Sequence, residues 1–154
     1  METSIVRRPA GSDCAAILRA LPDWFGKAAA NEALARQAQT GLTFVAELAG
    51  RPVGLTTLRD TGFSALEIEL LAVLPEMHGR GIGRRLVLSA DGEARCLGKA
   101  YLLVRTLGPS RPSNHYARTR RFYDRSGFLA LEESLEVWGP DNPCLFMIRP
   151  IDPC

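Results

Sequence analysis

Three glycines fall within five residues, Gly79, Gly81 and Gly83, in the stretch LLAVLPEMHGRGIGRRLVLSA (residues 70–90). An apolar run precedes them and stops at Pro75; a Leu/Val-rich segment follows at once. A strand, a glycine-rich turn and a helix start together make an anion site. The first N–H groups of a helix have no partner inside it. They point along a dipole that favours negative charge. Glycine lets the backbone take a positive φ and come close to a bulky phosphate. Arg80, Arg84 and Arg85 add positive charge beside it. The chemistry on offer is the cradling of a phosphate or pyrophosphate.

Spacing argues against two nucleotide motifs, of which the dinucleotide site of an oxidoreductase stays as a rival reading, to be decided by preference for NAD(P) over CoA. A P-loop needs G-x-x-x-x-G-K-[ST], and no Lys-Ser or Lys-Thr follows these glycines. A dinucleotide fingerprint needs G-x-G-x-x-G, yet Gly81-x-Gly83 is followed by Leu86 at the third position. The next strand ends in Arg105 rather than an acid, and the loop follows the fourth strand rather than the first.

Other side chains could move protons. Glu67 and Glu69 alternate onto one face of the strand that leads into the loop, a face that is either catalytic or simply solvated. Tyr123 lies with Tyr116 and Thr119 on one helical face, where a core role and a chemical role are both open. His115 precedes that helix as a base or as a capping residue. Arg118, Arg121 and Arg125 share a face that is solvated or touches a phosphate. Cys14, Cys96, Cys144 and Cys154 have no C-x-x-C spacing and no His in register, which argues against zinc. They also lack an activating His or helix N-terminus, which argues against a covalent thiol intermediate.

These residues need elements to position them. SIVRRPA reads as a first strand. Ser12 or Asp13 could cap a helix carrying Ala16, Ile17, Leu18, Ala20 and Leu21. LPDWFG interrupts it, and AAANEALARQAQ is a second helix of good helix formers. LTFVAEL and RPVGLTTLRD flank AGR as a hairpin. SALEIELLAVL is a long strand. A helix runs from about Gly83 to Leu97. AYLLVRTL is apolar enough for a strand buried on both faces. HYARTRRFYDRSGF is a helix ended by Gly127. LALEESLEVW and CLFMIRP are two last strands around the turn GPDNP. The chain has 154 residues, 46% of them hydrophobic, and a net charge of +2. That length and composition suit one α+β domain over residues 1–154 with a real core. The weak charge gives no argument for nucleic acid. No apolar run approaches the ~18 residues of a membrane span, and residues 1–14 lack the apolar core of a secretion signal. The expectation is a cytoplasmic protein with free thiols.

The loop residues His78-Gly-Arg-Gly-Ile-Gly83 resemble the acetyl-CoA loop of the GNAT superfamily of N-acetyltransferases, whose pattern is R/Q-x-x-G-x-G/A after a strand ending V-x-P. A second mark of that superfamily, aromatic-Tyr-acid-x-x-Gly-Phe, has its likeness in FYDRSGF, Phe122 to Phe128. The two occur in the family's order, and the element order fits nearly the whole chain. The stretch from Lys99 to Phe128 also resembles a bacterial GNAT subgroup that implies no substrate. The resemblance implies a central mixed, mostly antiparallel sheet of about six to seven strands flanked by about four helices.

The resemblance further implies direct transfer of an acetyl group from acetyl-CoA to a primary amine, without a metal. The backbone at Leu71, Ala72 and Val73 would hold the pantetheine arm. The N–H groups of His78, Gly79, Arg80, Gly81, Ile82, Gly83 and Arg84 would take the pyrophosphate. Tyr123 matches the general acid, and Glu67 matches the base of some histone-type members, with Glu69 beside it. Trp24 and Phe25, in the break between the first two helices, would wall the acceptor site, with Trp138, Asp141 and Asn142 near a second wall. Such a cleft would suit an amine on an apolar body. Two positions depart from the family: His78 stands where Arg or Gln is usual, and Tyr116 where a cofactor-contacting Asn is frequent. They leave room for a non-catalytic acyl-CoA-binding or sensor domain. Homodimers are common in the superfamily.

Overall fold

The computed structural model describes residues 2–152; Cys154, expected as a free thiol, lies outside them. The chain is α+β, and the described residues form four α-helices and seven strands of a mixed sheet. In order these are β1 (Thr3–Arg7), α1 (Gly11–Arg19), α2 (Ala28–Thr40), β2 (Leu42–Leu48), β3 (Arg51–Asp60), β4 (Ala65–Val73), α3 (Ile82–Cys96), β5 (Tyr101–Leu107), α4 (Asn114–Arg125), β6 (Leu129–Ser134) and β7 (Cys144–Pro150). The expected order of strands and helices holds throughout. The residues group into two compact units, Met1–Arg59 with Ile68–Glu93, and Asp60–Glu67 with Ala94–Cys154.

In the first unit the strands lie in the order β1-β2-β3-β4. β1 pairs antiparallel with β2 from Thr3↔Leu48 to Arg7↔Phe44. β2 turns into β3 at Ala49 and Gly50, with φ of 52° and 78°. Positive φ at both central residues matches the twist of a tight hairpin. Val45, Val53, Leu55, Leu70 and Ala72 from the strands pack with Ile17 and Leu18 of α1, all within 4% of full burial. α1 begins one residue before the expected cap, behind Ala10, which offers no side-chain acceptor. The acceptor comes from elsewhere: Gly11 N–H donates to Gln39 Oε1 of α2 at 3.1 Å. Asp13 pairs with Arg8 at 2.8 Å instead of capping.

In the second unit β5 pairs antiparallel with β7, from Tyr101↔Pro150 to Leu107↔Cys144, and β7 with β6. β5 is less buried than its apolar sequence suggests: Leu102, Val104 and Thr106 are buried, while Leu103 and Arg105 are half-buried. β6 stops at Ser134, short of the expected Trp138, because Ser134 Oγ accepts the Glu136 N–H at 3.1 Å and starts a turn. α4 is capped by Ser113, whose hydroxyl accepts the Tyr116 N–H at 3.3 Å. It ends as expected at Gly127, with φ +87°. The Phe128 N–H then returns to the Tyr123 carbonyl at 3.0 Å. Arg120 ties α4 to β5 by donating to the Leu107 carbonyl at 2.6 Å. Among the described residues no helix is long and apolar enough to cross a membrane.

Leu18 is fully buried whereas Leu129 is 59% exposed. Leu18→Ala is expected to lower unfolding stability by about 2–5 kcal/mol, and Leu129→Ala by less than about 0.5 kcal/mol. Urea unfolding of the two variants checks the contrast.

Candidate active site

The glycine loop belongs to the first unit. β4 ends at Val73, and Pro75–Met77 form a single 3₁₀ turn that the sequence pattern did not foretell. Pro at its first position suits it, since the missing N–H would be unsatisfied there anyway. His78 N–H closes the turn on the Pro75 carbonyl at 3.2 Å. Gly79 and Gly81 follow with φ of 77° and 80°. An added Cβ at either would meet nothing within 4 Å, so backbone conformation rather than space demands glycine there. Gly83 is already inside α3. The first helical bond runs from Arg85 N–H to the Gly81 carbonyl at 3.1 Å. Among the described residues, the N–H groups of residues 79–84 therefore meet no backbone acceptor. Ile82 and Met77, 3% and 7% exposed, anchor the loop from below. This is a row of fixed donors of the kind that holds a pyrophosphate.

The three arginines do not act alike. Arg80 and Arg84 are exposed beside the loop. Arg85 donates through Nη1 to the Thr3 carbonyl. His78, the departure from the family's Arg or Gln, places its Nε2 2.7 Å from the Val73 carbonyl. A carbonyl can only accept, so Nε2 carries the proton. The Trp24 ring stands edge-on to the same imidazole, centroids 6.1 Å apart. The expected cofactor and acceptor residues Val73, His78 and Trp24 are thus brought together. Phe25 is half-buried next to Trp24, and its carbonyl accepts from Asn31 Nδ2 at 2.9 Å.

Of the remaining β4 residues in this unit, Glu69 lies 4.0 Å from Arg59, with its side chain 19% exposed. Leu71 and Val73 are half-buried and Ala72 is buried. Gly54 of β3 was not singled out in the sequence. A Cβ there would sit 3.0 Å from the Ala72 carbonyl oxygen and 3.2 Å from Val73 Cγ2. A glycine inside an otherwise apolar strand is the available signal of such close approach.

The second unit holds Glu67, Tyr116, Tyr123 and Trp138. Glu67 was expected on a catalytic or solvated strand face. It is 3% exposed, and Arg105 binds both its oxygens, Nε to Oε2 at 2.6 Å and Nη2 to Oε1 at 2.9 Å. Arg105 was noted in the sequence only as the wrong residue for a dinucleotide site. Tyr123 is 5% exposed, edge-on to Phe122 and Phe128 with centroids 5.2 Å away in each case. Burial pushes its phenol well above the usual tyrosine range. Burial also raises Tyr116, against the opposing charge of Arg111. His115 is half-buried in the first turn of α4, while Arg118, Arg121 and Arg125 are exposed. Trp138 is 44% exposed, and nearby Asn142 Oδ1 accepts from Arg111 Nη1.

The acetyltransferase (GNAT) domain pattern matches residues 39–129, more than half of the chain. An IAA acetyltransferase of Azospirillum brasilense is 34% identical over 109 residues, 70% of this chain and 66% of that protein. Among solved structures, an IAA acetyltransferase from Bacillus cereus matches with a TM-score of 0.75 at 21% identity, over 97% of this chain and 99% of that one. An aminoglycoside 6′-N-acetyltransferase complexed with coenzyme A matches with a TM-score of 0.76 at 18% identity, over 100% and 99%. The chain belongs to the GNAT acetyltransferase family. Its members are acyl-CoA-dependent N-acyltransferases that use acetyl-CoA as the acetyl donor.

Forcing an L-residue into the left-handed region costs roughly 1–2 kcal/mol, a factor of about 5–30 in an equilibrium. Gly79→Ala and Gly81→Ala are each expected to weaken acetyl-CoA binding by about that factor in isothermal titration calorimetry. Gly83→Ala, at a helical position, is expected to change it by less than about threefold.

Proposed function

We propose that residues 1–154 work as a single acetyltransferase domain that moves an acetyl group to a primary amine by direct attack in a ternary complex. The observation that carries this reading is the glycine loop, with two positive-φ glycines and a row of free N–H donors opening α3. Acetyl-CoA supplies the activated acyl group. The loop binds its pyrophosphate, and the backbone of Leu71, Ala72 and Val73 aligns its pantetheine arm as an added strand. A carboxylate of β4, Glu67 or Glu69, accepts the amine proton, directly or through a water. Tyr123 gives its phenolic proton to the departing sulfur. Burial raises the phenol's pKa and so makes it a weaker acid, which leaves the transfer to sulfur dependent on close placement.

Direct transfer is favoured over a thiol intermediate by the state of the cysteines. Burial pushes Cys14 up to about 11 and also raises Cys144. A nucleophilic thiol needs the opposite shift. Cys96 is exposed on the last residue of α3, away from any helix N-terminus.

Trp24, Phe25 and Trp138 supply aromatic surface for the acceptor, which we take to be an amine carried on an apolar body. The acetyltransferase with aminoglycoside in its name supports an amine as the accepting group.

Tyr123→Phe keeps the ring and its aromatic contacts and removes only the hydroxyl. Its kcat is expected to fall by roughly 10²–10⁴ with acetyl-CoA affinity unchanged. Release of CoA, followed with a thiol reagent over a panel of primary amines, gives the rate. Calorimetry gives the affinity. Undiminished turnover would remove Tyr123 from the mechanism, and acetyl-CoA binding without turnover of any amine would leave a binding domain.

A further inference from the structure

His78 is held at two points of its own chain. Its backbone N–H closes the turn on the Pro75 carbonyl at 3.2 Å, and its ring Nε2 donates to the Val73 carbonyl at 2.7 Å. A side chain bonded both at its tip and at its own peptide group has few rotamers left. The imidazole is therefore a fixed plate, although it lies at the surface.

Trp24 stands on that plate. Its ring meets the imidazole edge-on, with centroids 6.1 Å apart and planes at 82°. Edge-to-face contact is a favoured arrangement of two aromatic rings. Trp24 comes from a distant part of the sequence, the break between α1 and α2. Its backbone is fixed there too: the N–H groups of Trp24 and Phe25 both donate to the Leu21 carbonyl, at 3.2 and 3.0 Å. The Trp24 side chain is half-buried and packs against the core of the first unit, to which His78 and Val73 also belong. His78 is thus one of the contacts that orient the indole.

The consequence is geometric. The carbonyl that holds the imidazole belongs to the segment proposed to align the pantetheine arm. The peptide group of His78 adjoins the residues 79–84 proposed to bind the pyrophosphate. A ring that rests on His78 is therefore in register with both parts of the cofactor site. This goes beyond the proposed function and rests on it, since Trp24 is there the wall for the acceptor.

We propose that His78 is a specificity-determining positioning residue: its imidazole seats the Trp24 ring, so that the apolar body of the accepting amine meets an indole wall in register with the cofactor loop. An amine without such a body gains nothing from the wall. The enzyme therefore prefers phenethylamine to ethylamine, and His78 is a source of that preference.

The test measures the ratio of kcat/KM for phenethylamine to that for ethylamine, beside the Kd for acetyl-CoA from calorimetry. His78→Gln keeps an amide N–H of similar reach for the Val73 carbonyl and removes the ring. It is expected to lower the ratio about 2- to 10-fold, the range of one aromatic pair, with the Kd for acetyl-CoA within about twofold of wild type. The fall is expected in the KM for phenethylamine. His78→Phe, which supplies a ring again, is expected to bring the ratio back to within about twofold of wild type. Trp24→Leu lowers the ratio by itself, and adding His78→Gln to it is expected to lower the ratio no further, because the two side chains act as one unit.

A wild-type enzyme with no preference for phenethylamine would overturn the inference while acetyl transfer stands. So would a ratio indifferent to His78→Gln, an equal fall in His78→Phe, a further fall in the double variant, or a fall matched by loss of acetyl-CoA affinity. A wild-type protein that binds acetyl-CoA and turns over no amine would overturn both.

Discussion

The backbone at Gly79 and Gly81 is the constraint on which the site depends. A strand and a helix differ in every backbone torsion, and the change from β4 to α3 is made within a few residues. Two left-handed residues make it without burying a polar group. Among the described residues, they leave the N–H groups of residues 79–84 without a backbone acceptor. An L-side chain would be strained at either position, although the space around both is open. The 3₁₀ turn before them and the buried Ile82 after them hold the two ends. The donors are thus arranged before any anion arrives, so little conformational entropy remains to be lost on binding.

A loop with unsatisfied donors is costly unless its surroundings are rigid, and the neighbouring contacts supply that rigidity. His78 returns from the loop to the Val73 carbonyl, so the residue that departs from the family's Arg or Gln ties the loop to its own strand. Gly54 lets β3 come within reach of Ala72 and Val73, where any larger residue would press on the β4 backbone. Thr56 adds a buried bond from its hydroxyl to the Leu70 carbonyl at 2.8 Å. The segment proposed to align the pantetheine arm is therefore fixed by small and polar residues of the next strand, not by bulk.

The parts of the fold that were legible in the sequence are those encoded locally. Periodicity and turn residues gave the order of all seven strands and four helices, and Gly127 marked the end of α4 correctly. The glycine loop was legible because its torsions belong to its own residues. What was not legible depends on partners distant in the chain. The start of α1 is set by Gln39, 28 residues away from Gly11. Alternation along β4 put Glu67 and Glu69 on one face and could not distinguish them. Arg105, 38 residues away from Glu67, binds it at 2.6 Å, a contact that no alternation pattern reveals. The apolar look of β5 suggested burial of both faces, but the strand carries this arginine and leaves it half-buried.

The same long-range pairing explains why a charged pair is tolerated in the core of the second unit. Replacing a buried ion pair by apolar residues is often neutral or stabilising, whereas losing one partner leaves a charge uncompensated. Glu67 and Arg105 are thus weak as a device for stability and stringent as a device for identity, since neither can change alone. The fork geometry sharpens this, because a lysine can match the charge of Arg105 but not the two parallel bonds. A pair of that kind fixes the plane and position of the Glu67 carboxylate.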